Sequence, residues 1–223
     1  EHGYRFRSDG DMEVVLPLAR RMGSRFVDAL NGIYALALYE SEPHQLTLVR
    51  DRLGVKPLYW TRTAGGGVLF ASEIKALFAS GLVMPEIEET AVSSYLAHGY
   101  VPAPDTLYKG VRKLPPGHRM TVSAEGRISI ERYWQPVPDQ ERLTQPAEAR
   151  ERMLELMRDA VRLQLRSDVP LGALLSGGLD SGMIVALAAE ALDQPLHTYT
   201  VRFEGAAVDE SPLAAEVAAR YGA

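Results

Sequence analysis

An apolar run that is interrupted by a polar, glycine-rich joint constrains the fold of this chain more than any other feature. Residues 173–190 read ALLSGGLDSGMIVALAAE, so a short apolar stretch enters the joint and a longer one leaves it. A buried strand followed by a buried helix accounts for both apolar parts. The chain continues with LHTYTVRF and SPLAAEVAARYG, and this strand–helix–strand–helix order predicts the start of an α/β fold with a parallel sheet. Because parallel sheets have both faces covered, we expect further strands outside these 223 residues.

The part of the chain before about residue 134 is typical of an α+β fold. Short apolar or alternating runs at 32–39, 45–51 and 67–72 predict strands, and residues 118–134 predict a hairpin that turns at Glu125-Gly126. Two short helices are expected in ASEIKALFASG, with Ser72 as the N-cap, and in ETAVSSYLAHG. We also expect Pro17 to kink a helix or remove one of its hydrogen bonds.

Three prolines in QPVPDQERLTQP predict a linker over residues 135–146. The expected division is therefore a first domain over 1–134, this linker, and a second domain over 147–223. Within the first domain, the charged run at 50–56 predicts an ion-pair cluster of Arg50, Asp51, Arg52 and Lys56 beneath a turn.

Composition excludes several classes of protein. The net charge is −5 without a basic stripe, which argues against nucleic-acid binding. No apolar run is long enough to cross a bilayer, so we expect no membrane association. The sequence has no cysteine, and its five histidines do not pair at zinc-ligand spacing. We expect a cytoplasmic protein.

The joint at 176–181 has the chemistry of an anion site. The first turn of a helix offers unpaired N–H groups to a phosphate, and glycines let that phosphate approach the backbone. Asp180 would repel a phosphate unless Mg²⁺ bridged the two. A Walker A loop is excluded because no lysine follows Lys113, and Leu174 stands where a nucleophile elbow needs glycine.

The remaining pattern, SGGLDS, resembles the PP-loop of ATP pyrophosphatases. Its flanks SDVPLGALLSGGLDS, RDRLGVKPLYW, FASEIKAL and GYVPAPDTLYKGVRKLPPGH are together similar to glutamine-hydrolysing asparagine synthetases, in that family's order. The resemblance implies a partial glutaminase sandwich of the Ntn-hydrolase type followed by the start of a PP-loop domain. It also implies ATP and Mg²⁺ as cofactors, glutamine and aspartate as substrates, and a homodimer.

The resemblance assigns roles to individual residues. Asp11, in SDGDMEVVL, matches the aspartate that grips the α-amino group of glutamine; as an alternative it caps a helix that starts at Met12. Asp209 and Glu210 match an acidic pair at a helix start, where capping is again the alternative. The residues that match the ATP site are Leu174, Ser176, Gly177, Gly178, Asp180, Ser181 and Val201, with Asp180 as the Mg²⁺ ligand. Leu174 and Val201, as apolar strand residues, are expected in the core in any case.

The family nucleophile is an N-terminal cysteine, and this sequence contains none. We therefore expect a fragment that by itself neither hydrolyses glutamine nor makes asparagine. Two alternatives stay open. A related enzyme could amidate another acceptor or close a β-lactam ring, or the chain could belong to a non-catalytic nucleotide-binding relative.

Overall fold

The computed structural model of the chain describes residues 3–137, 145–202 and 209–223. The chain divides into two compact units, Glu1–Pro138 and Asp139–Ala223. Of the predicted linker 135–146, residues 138–144 lie outside the described residues, and Pro146 already begins a helix.

Two antiparallel sheets form the first unit. The strands are β1 (Ala35–Glu40), β2 (Gln45–Arg50), β3 (Tyr59–Arg62), β4 (Val68–Ala71), β5 (Arg112–Lys113), β6 (His118–Val122) and β7 (Ile128–Arg132). The larger sheet has the order β1-β2-β6-β7 and the smaller one the order β4-β3-β5. In the hairpin of β6 and β7, Met120 lies opposite Ile130 and Val122 opposite Ile128.

The central strand β2 is buried on both of its faces. Leu48 packs into one core cluster with Trp60 and Met120, and Val49 packs into another with Phe26. Because neighbouring side chains of a strand point to opposite faces, β2 lies between two packed layers. This arrangement confirms the predicted α+β class of the first unit.

Two α-helices of the first unit begin later than the sequence indicated, and a third begins at Glu89, as predicted. They are α1 (Val15–Met22), α2 (Ile74–Ala79) and α3 (Glu89–His98). The prediction of Ser72 as an N-cap is wrong, because the residue before α2 is Glu73 and no side chain caps that end. Pro17 lies in the first turn of α1, where an N–H has no intrahelical acceptor in any case, so the helix needs neither a kink nor a lost bond.

The second unit is a parallel pair of strands with helices. Its elements are α4 (Pro146–Gln164), β8 (Gly172–Leu174), α5 (Leu179–Ala191), β9 (His197–Tyr199) and α6 (Ser211–Tyr221). Strands β8 and β9 pair in parallel, and the core beneath them contains Leu175, Val185 and Leu196. The predicted start of an α/β parallel-sheet domain is confirmed.

One expectation about this core is wrong. Leu174 is 77% exposed and Val201 is 71% exposed, so neither is a core residue in the chain as described. The reason is the alternation of a strand. Ala173 and Leu175 face the helices, which turns Gly172 and Leu174 to the opposite face of a sheet that has two strands among the described residues. Val201 lies beyond the end of β9.

Candidate functional site

The loop from Ser176 to Ser181 connects β8 to α5 and is organised by its two serine hydroxyls. Ser181 Oγ accepts a hydrogen bond from Ser176 N–H at 3.2 Å and lies 3.0 Å from Ser176 Oγ. It also donates to the carbonyl of Gly178 at 3.2 Å. The two serines therefore hold the two ends of the loop together. As at any helix start, the N–H groups of the first turn of α5 have no intrahelical acceptors.

Gly177 is the tightest position of this loop. Its φ of +83° belongs to the left-handed region, and a Cβ built there would lie 2.8 Å from Leu213 Cβ and 3.0 Å from both Ala214 N and Glu210 O. Real Cβ atoms essentially never lie as close to another atom as 2.8 Å, and contacts of 3.0 Å are already tighter than most. Together with the left-handed φ, these contacts strongly favour glycine here. The same contacts show that the first turn of α6 packs against the loop. The starts of α5 and α6 thus meet at one place.

The parallel pairing brings the remaining predicted ATP-site residues to the same sheet edge. Leu175 N–H donates to the carbonyl of Tyr199 at 2.9 Å, and Thr200 Oγ1 donates to the carbonyl of Leu175 at 2.8 Å. The carboxyl end of β9, and Val201 just after it, therefore lie beside the loop. Leu174 lies one pairing earlier, opposite Tyr199. The carboxyl edge of a parallel sheet is where such folds bind ligands.

Asp180 lies exposed in the first turn of α5. One carboxylate beside several N–H donors suits a cation that is bound jointly with phosphate oxygens, since Mg²⁺ is held by one or two carboxylates plus phosphates. Across the three described ranges, no three His, Cys, Asp or Glu side chains are grouped to hold a metal by themselves. The donor set therefore fits a shared Mg²⁺–phosphate site rather than an all-protein one.

Asp209 and Glu210 have different surroundings. Asp209 pairs with Arg202 at 3.0 Å, and its other oxygen accepts the N–H of Ser211, the first residue of α6, at 3.0 Å. Hydrogen bonding from Ser211, ahead of the charge of Arg202, lowers the pKa of the Asp209 carboxyl. The side chain of Glu210, the residue just before α6, makes no capping bond. The capping alternative thus describes Asp209.

In the first unit, Asp11 is exposed at the start of a 3₁₀ turn over Asp11–Val14. The residue before this turn is Gly10, and no side chain caps it, so the capping alternative does not hold for Asp11. Glu13, whose carboxylate accepts hydrogen bonds from the backbone of the preceding loop, is not among the predicted site residues. The sequence signal for it is Ser8, which stands five residues earlier and binds its carboxylate.

The prediction of ion pairs among the charged residues at 50–56 is wrong. Within the described part of the chain, no salt bridge joins its four side chains. Arg50 instead donates to the carbonyls of Lys56, Gly54 and Leu114 at 2.7–2.8 Å. Asp51 is 1% exposed and accepts backbone N–H groups. The guanidinium group of Arg50 and the carboxylate of Asp51 are therefore hydrogen-bonded to backbone groups and not to each other.

No helix among the described residues is both long and apolar enough to cross a membrane.

Comparison with known proteins identifies two matching family models. The glutamine amidotransferase domain matches residues 1–134, and asparagine synthase matches residues 152–223. Among curated proteins, asparagine synthetase [glutamine-hydrolyzing] 3 of Bacillus subtilis is 37% identical over 91% of this chain and 33% of its own length. Asparagine synthetase [glutamine-hydrolyzing] 1 of the same species is 36% identical over 99% of this chain and 34% of its own length.

A fungal protein, amidase chry2 of Gibberella zeae, is 32% identical over 96% of this chain and 34% of its own length. Among solved structures, B. subtilis glutamine phosphoribosylpyrophosphate amidotransferase complexed with ADP and GMP has a TM-score of 0.41 at 17% identity, over 91% of this chain and 42% of that chain.

The chain spans about a third of the length of the curated relatives that it matches. One family model covers almost all of its first unit, and a second model covers most of its second unit. The matches to the curated relatives run across both units. The chain therefore belongs to the glutamine amidotransferase domain family through residues 1–134, and its residues 152–223 match the asparagine synthase family.

Proposed function

We propose that the protein carrying this chain transfers glutamine-derived ammonia to aspartate through a β-aspartyl-adenylate, giving asparagine, AMP and pyrophosphate. The observation that carries this proposal is the loop 176–181. It lies exposed at the carboxyl edge of a parallel sheet, it opens a helix, and a glycine with a left-handed φ packs closely against a second helix. The similarity to relatives named asparagine synthetase supports aspartate as the acceptor of the ammonia.

On this proposal the backbone of the loop holds the terminal phosphates of ATP. Gly177 and the first turn of α5 offer N–H groups, and Gly178, whose N–H donates to Ser176 Oγ at 3.4 Å, lets a phosphate approach the backbone. Ser176 and Ser181 keep the loop in shape. Asp180 would hold Mg²⁺, which when bound counters the charge that gathers on the departing pyrophosphate. The exposed side chains of Leu174 and Val201 would lie against the nucleoside, since exposed apolar groups suit such a contact.

On the glutamine side, Asp11 would bind the α-amino group. The exposed carboxylate suits a cationic ligand, and its neighbours hold the backbone in place. The cysteine nucleophile is not among the 223 residues, so we expect no glutamine hydrolysis from them alone. We also propose the domain division 1–134, 135–146 and 147–223, and a cytoplasmic homodimer.

Substitution of Asp180 tests the proposal in the full-length protein. Asp180→Asn should lower aspartate-dependent pyrophosphate release by about a hundredfold or more, because the metal contact is lost, and leave glutaminase activity within about twofold. Asp159→Asn, which removes an exposed carboxylate of α4, is the matched control. Equal loss of both activities in Asp180→Asn would contradict the division of labour.

A second candidate keeps the chemistry and changes the acceptor. The similarity to amidase chry2 over nearly the whole chain favours it. Pyrophosphate release by the full-length protein, measured with aspartate and with other carboxylic acids in turn, separates the two. Release that requires aspartate supports the first proposal, and release with another acid alone supports the second. No release with any acid supports a non-catalytic nucleotide-binding relative.

A further inference from the structure

The carboxylate of Glu13 fastens the segment that precedes Asp11. Its Oε1 accepts the N–H of Arg7 at 2.8 Å. Its Oε2 accepts both the N–H of Ser8 at 2.8 Å and the hydroxyl of Ser8 at 2.6 Å. Three donors on one carboxylate make a strong clamp, because hydrogen bonds to an ionised group are about twice as strong as neutral ones.

The same clamp fixes the residue next to Asp11. Ser8 Oγ accepts the N–H of Gly10 at 3.3 Å, and Glu13 N–H donates to the carbonyl of Gly10 at 3.2 Å. Gly10 is therefore held on one side through Ser8 and on the other by the backbone of Glu13. Asp11 follows it directly and is the first residue of the 3₁₀ turn, so its position depends on both contacts.

From this geometry we infer that Glu13 is a positioning residue for glutamine binding, acting through Asp11. The inference rests on the proposed function, in which Asp11 binds the α-amino group of glutamine. Glu13 does not serve as a ligand itself, since both of its oxygens already accept hydrogen bonds from Arg7 and Ser8. Asp11 is exposed, which leaves its carboxylate free to meet a cation.

The clamp requires a carboxylate rather than an amide. In Glu13→Gln, one end of the side chain becomes an NH₂ group, which faces an N–H donor on either Arg7 or Ser8 and accepts nothing from it. One half of the clamp is then lost while the size of the side chain stays the same. Ser8→Ala removes the hydroxyl that links Glu13 to Gly10 and leaves the helix untouched.

The experiment measures glutaminase kinetics in the full-length protein for Glu13→Gln, Ser8→Ala and Asp11→Asn. We expect Glu13→Gln to raise the KM for glutamine about tenfold, the effect of losing one hydrogen bond to a charged group, with kcat within about twofold. Ser8→Ala should raise KM by about threefold. Glu89→Gln, which removes an exposed carboxylate from the first turn of α3, should leave KM and kcat unchanged.

Amide hydrogen exchange at Arg7 and Ser8 provides a second readout that does not depend on activity. Faster exchange in Glu13→Gln together with the raised KM supports the positioning role. Faster exchange with an unchanged KM overturns it, and so does a loss of kcat and thermal stability without a change in KM, which is what a purely structural residue gives. If Asp11→Asn leaves the KM for glutamine unchanged, the proposed glutamine site is wrong. If Asp11→Asn raises KM and Glu13→Gln does not, only the inference about Glu13 is wrong.

Discussion

Asp51 is accommodated in the interior of the first unit because the chain surrounds its carboxyl group with N–H groups. Oδ1 accepts from Leu53 at 3.2 Å and Val55 at 3.0 Å, and Oδ2 accepts from Lys56 at 2.9 Å. A buried carboxylate is tolerated only when its lone pairs are satisfied in this way. The side chain therefore defines the turn between β2 and β3.

Replacing Asp51 by Asn should destabilise the first unit by about 2–3 kcal/mol, because an NH₂ group would then face a buried N–H donor. Urea unfolding followed by tryptophan fluorescence measures this change. Asp28→Asn is the control, since Asp28 forms an exposed pair with Arg25 and such pairs contribute about 0–1 kcal/mol. Equal effects of the two substitutions would show that the N–H cage is not what stabilises the turn.

Gly177 is the second residue whose identity the structure explains. Gly177→Ala should cost about 2–4 kcal/mol, the left-handed φ and the contact with the backbone of α6 each contributing. Gly222 in the same unit also has a positive φ, of +66°, but has open space around it. Gly222→Ala should therefore cost only about 1 kcal/mol. Urea unfolding followed by circular dichroism compares the two, and similar losses would argue against packing of α6 on the loop.

At the scale of an element, exposure changes sharply at the end of β8, between its last residue, Leu174, and the next residue, Leu175. Leu175 is 2% exposed and Leu174 is 77% exposed. Leu175→Ala should cost about 3 kcal/mol through the cavity that it leaves, whereas Leu174→Ala should cost less than about 0.5 kcal/mol. If Leu174 contacts the nucleoside as proposed, Leu174→Ala should still weaken ATP binding by the full-length protein. Calorimetric titration with ATP and urea unfolding measure the two effects separately.

Elements were predictable from the sequence where their patterns were periodic. The alternation in β2, the hairpin of β6 and β7, and the glycine-rich joint before α5 all lie where the apolar spacing indicated. The exposure of Leu174 was not predictable, because it depends on what covers the sheet face opposite the helices. A residue-by-residue pattern does not contain that information.

Side-chain partners were harder to predict than elements. The charges at 50–56 suggested ion pairs, but the backbone groups that Arg50 and Asp51 bind carry no sequence signal of their own. Ser72 had the right chemistry for a cap, yet the helix begins at Ile74 with Glu73 before it. The predicted ATP-site residues around the loop do come together at one sheet edge, because strand order and the loop motif both fix them. Their ligand roles stay predictions.

At the scale of the whole chain, the two units should unfold as separate transitions. Both tryptophans, Trp60 and Trp134, lie in the first unit. The three longest helices among the described residues, α4, α5 and α6, lie in the second unit. Tryptophan fluorescence therefore reports on the first unit, and helical circular dichroism reports mainly on the second.

Two substitutions, one in each unit, distinguish the two transitions. Asp51→Asn should shift the fluorescence transition and leave most of the dichroism transition in place, and Gly177→Ala should do the reverse. A single transition that both substitutions shift equally would show one cooperative block instead of two units.

The hydrogen bonds around Asp51 also have a consequence for the order of folding. The donors to its carboxylate come from residues within five positions along the chain. Arg50, its neighbour, reaches Leu114, which is 64 positions away. Contacts between residues close in the chain form with little loss of loop entropy, whereas distant ones wait for the chain to close. The turn after β2 should therefore form first and fix the side chain of Arg50. The segment around Leu114 should pack later, when its carbonyl group accepts a hydrogen bond from Arg50.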